Sequence, residues 1–486
     1  MRYADLAVII AYLIGITWFG ARFRKDQQTL RDYFLGGRKT PWWAIGFSIV
    51  SAETSTLTVI GTPALAFGGN LGFLQVVLGY LAGRIVISVL FLPHYFRGEM
   101  YTAYELMRNR FGERIRRLTA GLFLVLRALA EGVRVFAMSI VVSIVLGTGE
   151  IPSILLIVAL TLFYTFEGGM TAVIWTDVIQ MILYVGGALL SFAVILSHID
   201  GGWNEVLRVA ASTGKLQVFD FSLGPPGEFF QRTYTFWAGL IGGCFLATAS
   251  HGTEQLMVQR LLAARSERES RLALLGSWGV IGFQFTLFLM IGVMLYVYHR
   301  QTGLPSPNPL DRLYPQFVWN HLPTGVAGLV TAAILAAAMS NLSAALNSLA
   351  STTIIDFYRP FDRAGVRQDD RALLRLGRAA TVLWGLVLVG IGLLARRWGS
   401  VLEAGLSVAS VLYGSLLGVF LLGVLAPRVG ERSAIVAMLA GFAVMIYVKF
   451  GTDIGWTWYV VIGSAATFSV GLLAESLSRF GAAGRP

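Results

Sequence analysis

The sequence predicts an all-α integral membrane protein of about 13 transmembrane helices, built around two inverted five-helix repeats with discontinuous helices. Three observations point to this class. Of 486 residues, 56% are apolar and only 13% are charged, and that charged share is about half of what a soluble globular chain carries. Thirteen apolar stretches follow one another along the chain, at about 20 residues per bilayer crossing. Two of these stretches, five spans apart, are interrupted by polar clusters at matching depth. Such interruptions in corresponding positions of two halves mark inverted repeats.

Span 1, near 3–21, has Arg2 as its only leading basic residue and lacks a small-residue cleavage site. Arg22, Arg24 and Lys25 follow it, so it is read as a retained span rather than a signal peptide. Span 2, near 42–66, carries Ser51, Glu53, Thr54, Ser55, Thr56 and Thr58, then Gly61-Thr62-Pro63. Span 3, near 72–95, holds Arg84, with Gln75 close to its expected outer end. Span 4, near 118–147, holds Arg127, Glu131 and Arg134, spaced so that Glu131 reaches either arginine on one helical face. Span 5 lies near 153–166, and a turn at 167–171 leads into span 6 near 172–197. Asp177 sits just inside span 6, where a lone carboxylate is costly and calls for a cation partner.

Span 7, near 235–259, carries Thr248, Ser250, His251, Thr253, Glu254 and Gln255, together with Cys244, the only cysteine. One cysteine excludes a disulfide framework and a cysteine-based metal site. Span 8 lies near 272–298. Span 9, near 324–354, places Ser340, Ser343, Asn347 and Ser348 broadly on one face, with Asn341 beside them. Spans 10 to 13 lie near 379–395, 402–425, 433–449 and 455–475. Spans 2–6, about 42–197, and 7–11, about 235–425, form the two repeats. Span 1 and the pair at about 433–475 are additions to a single membrane domain of 1–486.

The formal net charge of +11 records topology, not nucleic-acid binding. With the N-terminus outside, 26 of the 38 lysines and arginines fall in loops on the cytoplasmic side and nine on the other; Arg84, Arg127 and Arg134 lie within the membrane. This asymmetry predicts a multi-pass protein of the inner (plasma) membrane with its C-terminus in the cytoplasm.

Interrupted helices expose backbone carbonyls and half-helix dipole ends near the bilayer midplane, where they hold cations and organic ligands. The alternative is that the hydroxyls only hydrogen-bond neighbouring helices. The oxygen-rich face of span 9 suits a hard monovalent cation such as Na⁺, and small-residue helix packing is its alternative. Arg134 is read either as a partner of Glu131 or as a bidentate anchor for a substrate carboxylate.

These stretches resemble the sodium:solute symporter family, which includes sodium/sugar, sodium/proline and sodium/sialic acid cotransporters. The matching motifs are Asp32-Tyr-Phe-Leu-Gly-Gly-Arg38, Tyr101-Thr102 with Arg110-Phe111-Gly112, and Gly168-Gly169 through Trp175-Thr176-Asp177. Gly252-Thr-Glu-Gln255 with Gln259-Arg260, Ser340 with Leu346-Asn347-Ser348, Asp356-Phe-Tyr358 and Tyr413-Gly414 follow in order. The resemblance covers residues 1 to about 475. It implies a LeuT-like fold and sodium-coupled import of a small polar organic solute by alternating access, with no enzymatic activity and no organic cofactor.

By this resemblance one Na⁺ is held by the backbone carbonyls of Ser51, Thr54 and Ala337 and the side chains of Ser340 and Asn341. Family members usually have Ser or Thr where Asn341 stands. A second sodium position corresponds to Asp177, Ser340 and Ser343, with Ala344 in place of a further hydroxyl. Substrate contacts correspond to Glu53, Ser55, Thr58, Gln75, Arg134, Ala247, Ser250 and His251. The aromatic gate of the sugar members falls near Ser250. The resemblance also implies a protein that works in the lipid bilayer as a monomer, with a small solute and no nucleic acid as partner.

Two other classes compete. A proton-coupled symporter would use Glu53 and Asp177 as proton carriers. A transporter-like sensor would continue into a cytoplasmic signalling domain, whereas this chain stops about ten residues after span 13. A respiratory proton pump would need lysine relays, but Lys25, Lys39, Lys215 and Lys449 all lie in loops or at a span end. No H-x-x-E-H or G-x-S-x-G motif supports a hydrolase.

Overall fold

The computed structural model describes residues 3–23, 34–98, 100–225, 227–358, 370–396 and 401–483. The described residues are almost wholly helical or in turns, with one isolated bridge between Thr40 and Ala264 and no strand. The helices used below are α1 (Tyr3–Ala21), α2 (Trp42–Glu53), α3 (Thr62–Gly68), α4 (Leu74–Leu90), α5 (Glu113–Leu146), α6 (Glu150–Ser197) and α7 (Gly243–Gly252). They continue as α8 (Gln255–Leu262), α9 (Glu267–Thr302), α10 (Val326–Thr352), α11 (Asp370–Ala395), α12 (Val401–Leu425), α13 (Glu431–Gly451) and α14 (Tyr459–Ala483).

Among the described residues nine helices are long and apolar enough to cross a bilayer. Trp42–Glu53 and Leu57–Gly68 together form a span bent by 62°, and Leu74–Leu90 and Glu150–Phe163 are shorter apolar helices. The expected turn at 167–171 takes an unexpected form: the backbone is helical throughout α6. A straight helix of 48 residues would be about 72 Å long, more than twice the hydrocarbon thickness. The packing shows that α6 does not run straight. Ile157 clusters with Leu335, while a Cβ on Gly187 would touch Ala333 at 2.9 Å. Residues 30 apart on α6 thus both pack around the 330–339 stretch of α10.

Of the nine long apolar helices described, α10 is the most enclosed. Its N-terminus is capped by α1: the Asp5 carboxylate accepts from the Gly325 and Gly328 amides at 2.6 and 2.7 Å. A carboxylate there satisfies orphan donors and opposes the helix dipole.

Small residues bring α4 and the segment around the start of α7 together. Gly79 and Gly83 of α4 face Gly239 and Gly243 of the segment entering α7. A Cβ on Gly79 would lie 2.4 Å from the Gly239 carbonyl oxygen, and one on Gly83 would lie 2.6 Å from that of Cys244. Only glycine allows backbones this close, the membrane counterpart of hydrophobic interlock. Gly83→Ala should therefore destabilise the fold by about 1–3 kcal/mol through overpacking. Gly186→Ala, whose Cβ meets nothing within 4 Å, is the control. Melting of the two purified variants in detergent checks this.

Candidate functional site

Both interruptions read from the sequence are present, and local chemistry explains each. α2 stops at Glu53 and Thr54 is extended (φ −83°, ψ 98°). The Ser55 amide donates to the Thr58 hydroxyl at 3.3 Å, and the Thr54 hydroxyl donates back to the Val50 carbonyl at 2.8 Å. Hydroxyl side chains compete with the helical ladder in this way. In the second broken span α7 ends at Gly252, and Glu254 is extended (φ −86°, ψ 130°) before α8 begins. The Tyr95 hydroxyl donates to the Gly252 carbonyl at 2.6 Å. Gln255 locks the break to a neighbouring loop, its amide donating to the Tyr101 carbonyl and its oxygen accepting from the Ala103 amide.

Between the two breaks lies a cavity that is partly open to solvent. Seven of the eight expected substrate positions line it: Glu53, Ser55, Thr58, Arg134, Ala247, Ser250 and His251. Gln75 does not. Its amide donates to the carbonyls of Gly72 and Tyr234, both at 3.1 Å, and its oxygen accepts from the Asp220 amide at 3.0 Å. It is therefore committed to holding a loop. The lining also includes Arg127, Glu254, Tyr413, Tyr80 and Phe285, none of which was assigned to the site from the sequence.

The cavity wall is an ion-pair system. Arg84 pairs with Glu53, and His251 Nε2 lies 3.3 Å from the same carboxylate. Arg127 joins Glu254 at 3.1 Å and Glu131 at 2.8 Å, Arg134 joins Glu131 at 3.0 Å, and the Tyr413 hydroxyl donates to Glu254. Glu131 thus bridges both arginines, as the spacing within span 4 suggested. The long-range pairs to Glu254 and Tyr413 had no local signal, because they join helices far apart in the chain. The cation expected beside Asp177 is Arg260, at 2.8 Å, with the Ser48 hydroxyl donating to the same oxygen at 2.5 Å. Arg260 was expected in a loop of 260–271. It is instead buried on α8, which extends to Leu262 before the loop begins.

The expected sodium ligands divide. Ser51, Thr54 and Asn341 are buried where α2 breaks beside α10. Asn341 Nδ2 donates to the carbonyls of Ala52 and Thr54 at 2.9 and 3.2 Å. Its Oδ1 accepts from Arg127 at 3.2 Å and lies 3.5 Å from Arg134. Ala337 and Ser340 lie on the α10 backbone, but their side chains fall outside the described residues. Asp177 and Ser343 are both fully buried.

The sodium:solute symporter family profile matches residues 33–441. The sodium/sialic acid symporter SiaT of Proteus mirabilis (strain HI4320) is 28% identical over 98% of this chain and 95% of its own length. The mouse (Mus musculus) sodium-coupled monocarboxylate transporter 1 is 30% identical over 92% of this chain and 72% of its own. The fold matches a solved structure of a Na⁺-coupled sialic acid symporter in its substrate-bound outward-open state. That match has a TM-score of 0.87 at 28% identity and covers 98% of both chains. The chain belongs to the sodium:solute symporter family. It is a multi-pass, sodium-coupled membrane symporter, not an enzyme, and it works by alternating access.

Breaking a buried pair strands a charge, at a cost of about 3–5 kcal/mol. Glu254→Ala, which removes a partner of Arg127, should therefore lower the melting temperature far more than Glu205→Ala at the exposed Arg208–Glu205 pair. Thermal melts in detergent would show equal losses if the cavity pairs were energetically idle.

Proposed function

We propose that the chain imports a small carboxylate-bearing organic solute with one Na⁺, the carboxylate docking on Arg134. One observation carries this reading. Arg134 is the most accessible of the cavity's guanidiniums, its side chain 21% exposed against 4% for Arg127 and 0% for Arg84. Its described protein contacts are made through Nη1 alone and its Nε is buried, so Nη2 is the donor left for an anion. Sialic acids and monocarboxylates, named for the relatives, share that group. Glu53, Ser55, Thr58, Ala247, Ser250 and His251 would then contact the remainder of the solute, and the tethering of Gln75 argues against a direct contact there.

In this reading Na⁺ is held by the carbonyls of Ser51, Thr54 and Ala337 with the side chains of Ser340 and Asn341. The second sodium position, at Asp177, Ser340 and Ser343, would face a carboxylate that Arg260 already neutralises, which favours a single coupling ion. The helices accommodate 13 crossings when the nine long spans, the bent pair, the two shorter apolar helices and the second broken span are counted together. The basic-residue asymmetry then supports an outer N-terminus and a cytoplasmic C-terminus in the plasma membrane. Within a single domain of 1–486, residues of about 42–197 and 235–425 serve as the repeats of a protein acting as a monomer.

A thermal-shift screen of the purified protein with sialic acids, monocarboxylates, sugars and amino acids, with and without Na⁺, tests the substrate class. A carboxylate that stabilises only in Na⁺ is the expected result; stabilisation by uncharged sugars alone would refute it. In proteoliposomes Arg134→Gln should abolish uptake of that carboxylate. Ser340→Ala and Asn341→Ala should each raise the Na⁺ concentration needed for half-maximal uptake at least tenfold, about 1.4 kcal/mol of binding.

A further inference from the structure

We infer that the side-chain amide of Asn341 is the coupling element between the two ligands, a flip switch that joins the Thr54 carbonyl of the sodium position to the anion-binding arginine. This inference rests on the sodium position proposed above. It deepens that reading by naming the device through which ion and solute act on each other.

The geometry is specific to an amide. One end of Asn341, Nδ2, donates to the Ala52 and Thr54 carbonyls, at the broken end of α2. The other end, Oδ1, sits between Arg127 and Arg134, 3.2 and 3.5 Å away. The side chain is 1% exposed, so it has no water to turn to. A planar amide with two donors at one end and an acceptor at the other matches carbonyls on one side and guanidiniums on the other. Serine or threonine, with a single oxygen, cannot span both.

Na⁺ at the Thr54 carbonyl, to which Nδ2 now donates, reverses the requirement. A cation repels the amide's N–H donors and needs its oxygen, so the group must rotate by a half-turn to ligate through Oδ1. Rotation withdraws the acceptor from Arg127 and Arg134 and turns the N–H donors towards them. Arg127 keeps two carboxylates, Glu131 and Glu254. Arg134 keeps only Glu131 among its described partners and faces the cavity. Sodium binding therefore loosens the one guanidinium placed to receive an anionic solute. An anion on Arg134 reciprocally lowers the cost of the flip and tightens Na⁺ by the same factor.

A mutant cycle in Na⁺ binding alone tests this without a solute. The Na⁺ dependence of thermal stability is titrated, with choline keeping ionic strength constant, for wild type, Arg134→Ala, Asn341→Ser and the double variant. Removing a nearby positive charge tightens Na⁺ in both backgrounds. Only in the asparagine background does it also remove part of the cost of the flip. Arg134→Ala should therefore tighten Na⁺ by at least about fivefold more with Asn341 present than with serine in its place. Equal effects in the two backgrounds would overturn the switch. Asn341→Ala separates the underlying assumption: if it leaves the Na⁺ midpoint unchanged while wild type still responds to Na⁺, Asn341 is not a sodium ligand and the site assignment fails. Melting in choline alone confirms that each variant is folded.

Discussion

The bundle is organised by a requirement that water imposes on soluble proteins only weakly: a charge placed among apolar helices must find its opposite. A charged residue at the centre of a membrane helix costs at least about 2.5–3.5 kcal/mol on insertion scales. Glu53, Glu131, Asp177 and Glu254 each meet an arginine. Three of these pairs join elements distant in sequence, Glu53 to Arg84, Asp177 to Arg260 and Glu254 to Arg127, so each of the three also ties a broken span to an intact helix. Hydroxyl and amide hydrogen bonds hold the breaks at Thr54 and Glu254 open, and the ion pairs neutralise the charges beside them.

What could be read from the sequence follows from this division between local and distant partners. The apolar runs, the two interruptions and the i−4 and i+3 reach of Glu131 are local properties, and they reappear in the structure. The cation beside Asp177 could be demanded on energetic grounds but not named. Arg260 lies on a helix whose start depends on the break before it, and the apolar pattern stops just short of it. Arg127 was visible, but its partners Glu254 and Tyr413 were not, because nothing local relates span 4 to spans 7 and 11. Gln75 shows the opposite failure. Its position suited a substrate contact, yet the carbonyls of Gly72 and Tyr234 claim its donors.

The close approach of α4 to the segment entering α7 has a consequence for the cavity. With no side chain at Gly79 or Gly83, Arg84 is brought close enough to the second broken span for its partner Glu53 to sit beside His251. Ser250 in turn lies 2.8 Å from His251 Nδ1. This wall of the site is therefore assembled by glycine packing several residues away. A bulkier residue there would act on the binding geometry without touching a ligand.

Charge balance also bears on why two ligands should enter together. The described cavity wall is neutral as built: Glu53 balances Arg84, and Glu131 with Glu254 balances Arg127 with Arg134. A monocarboxylate alone leaves such a site with a net negative charge in a medium that solvates it poorly, and Na⁺ alone leaves it positive. The two together restore neutrality. In the reading proposed above coupling needs no long pathway: each ion would be the other's compensating charge, and Asn341 bonds the Thr54 carbonyl and lies 3.5 Å from Arg134. Carried one to one, such a pair would cross without net charge and would draw on the sodium gradient alone, since the membrane potential acts only on net charge moved.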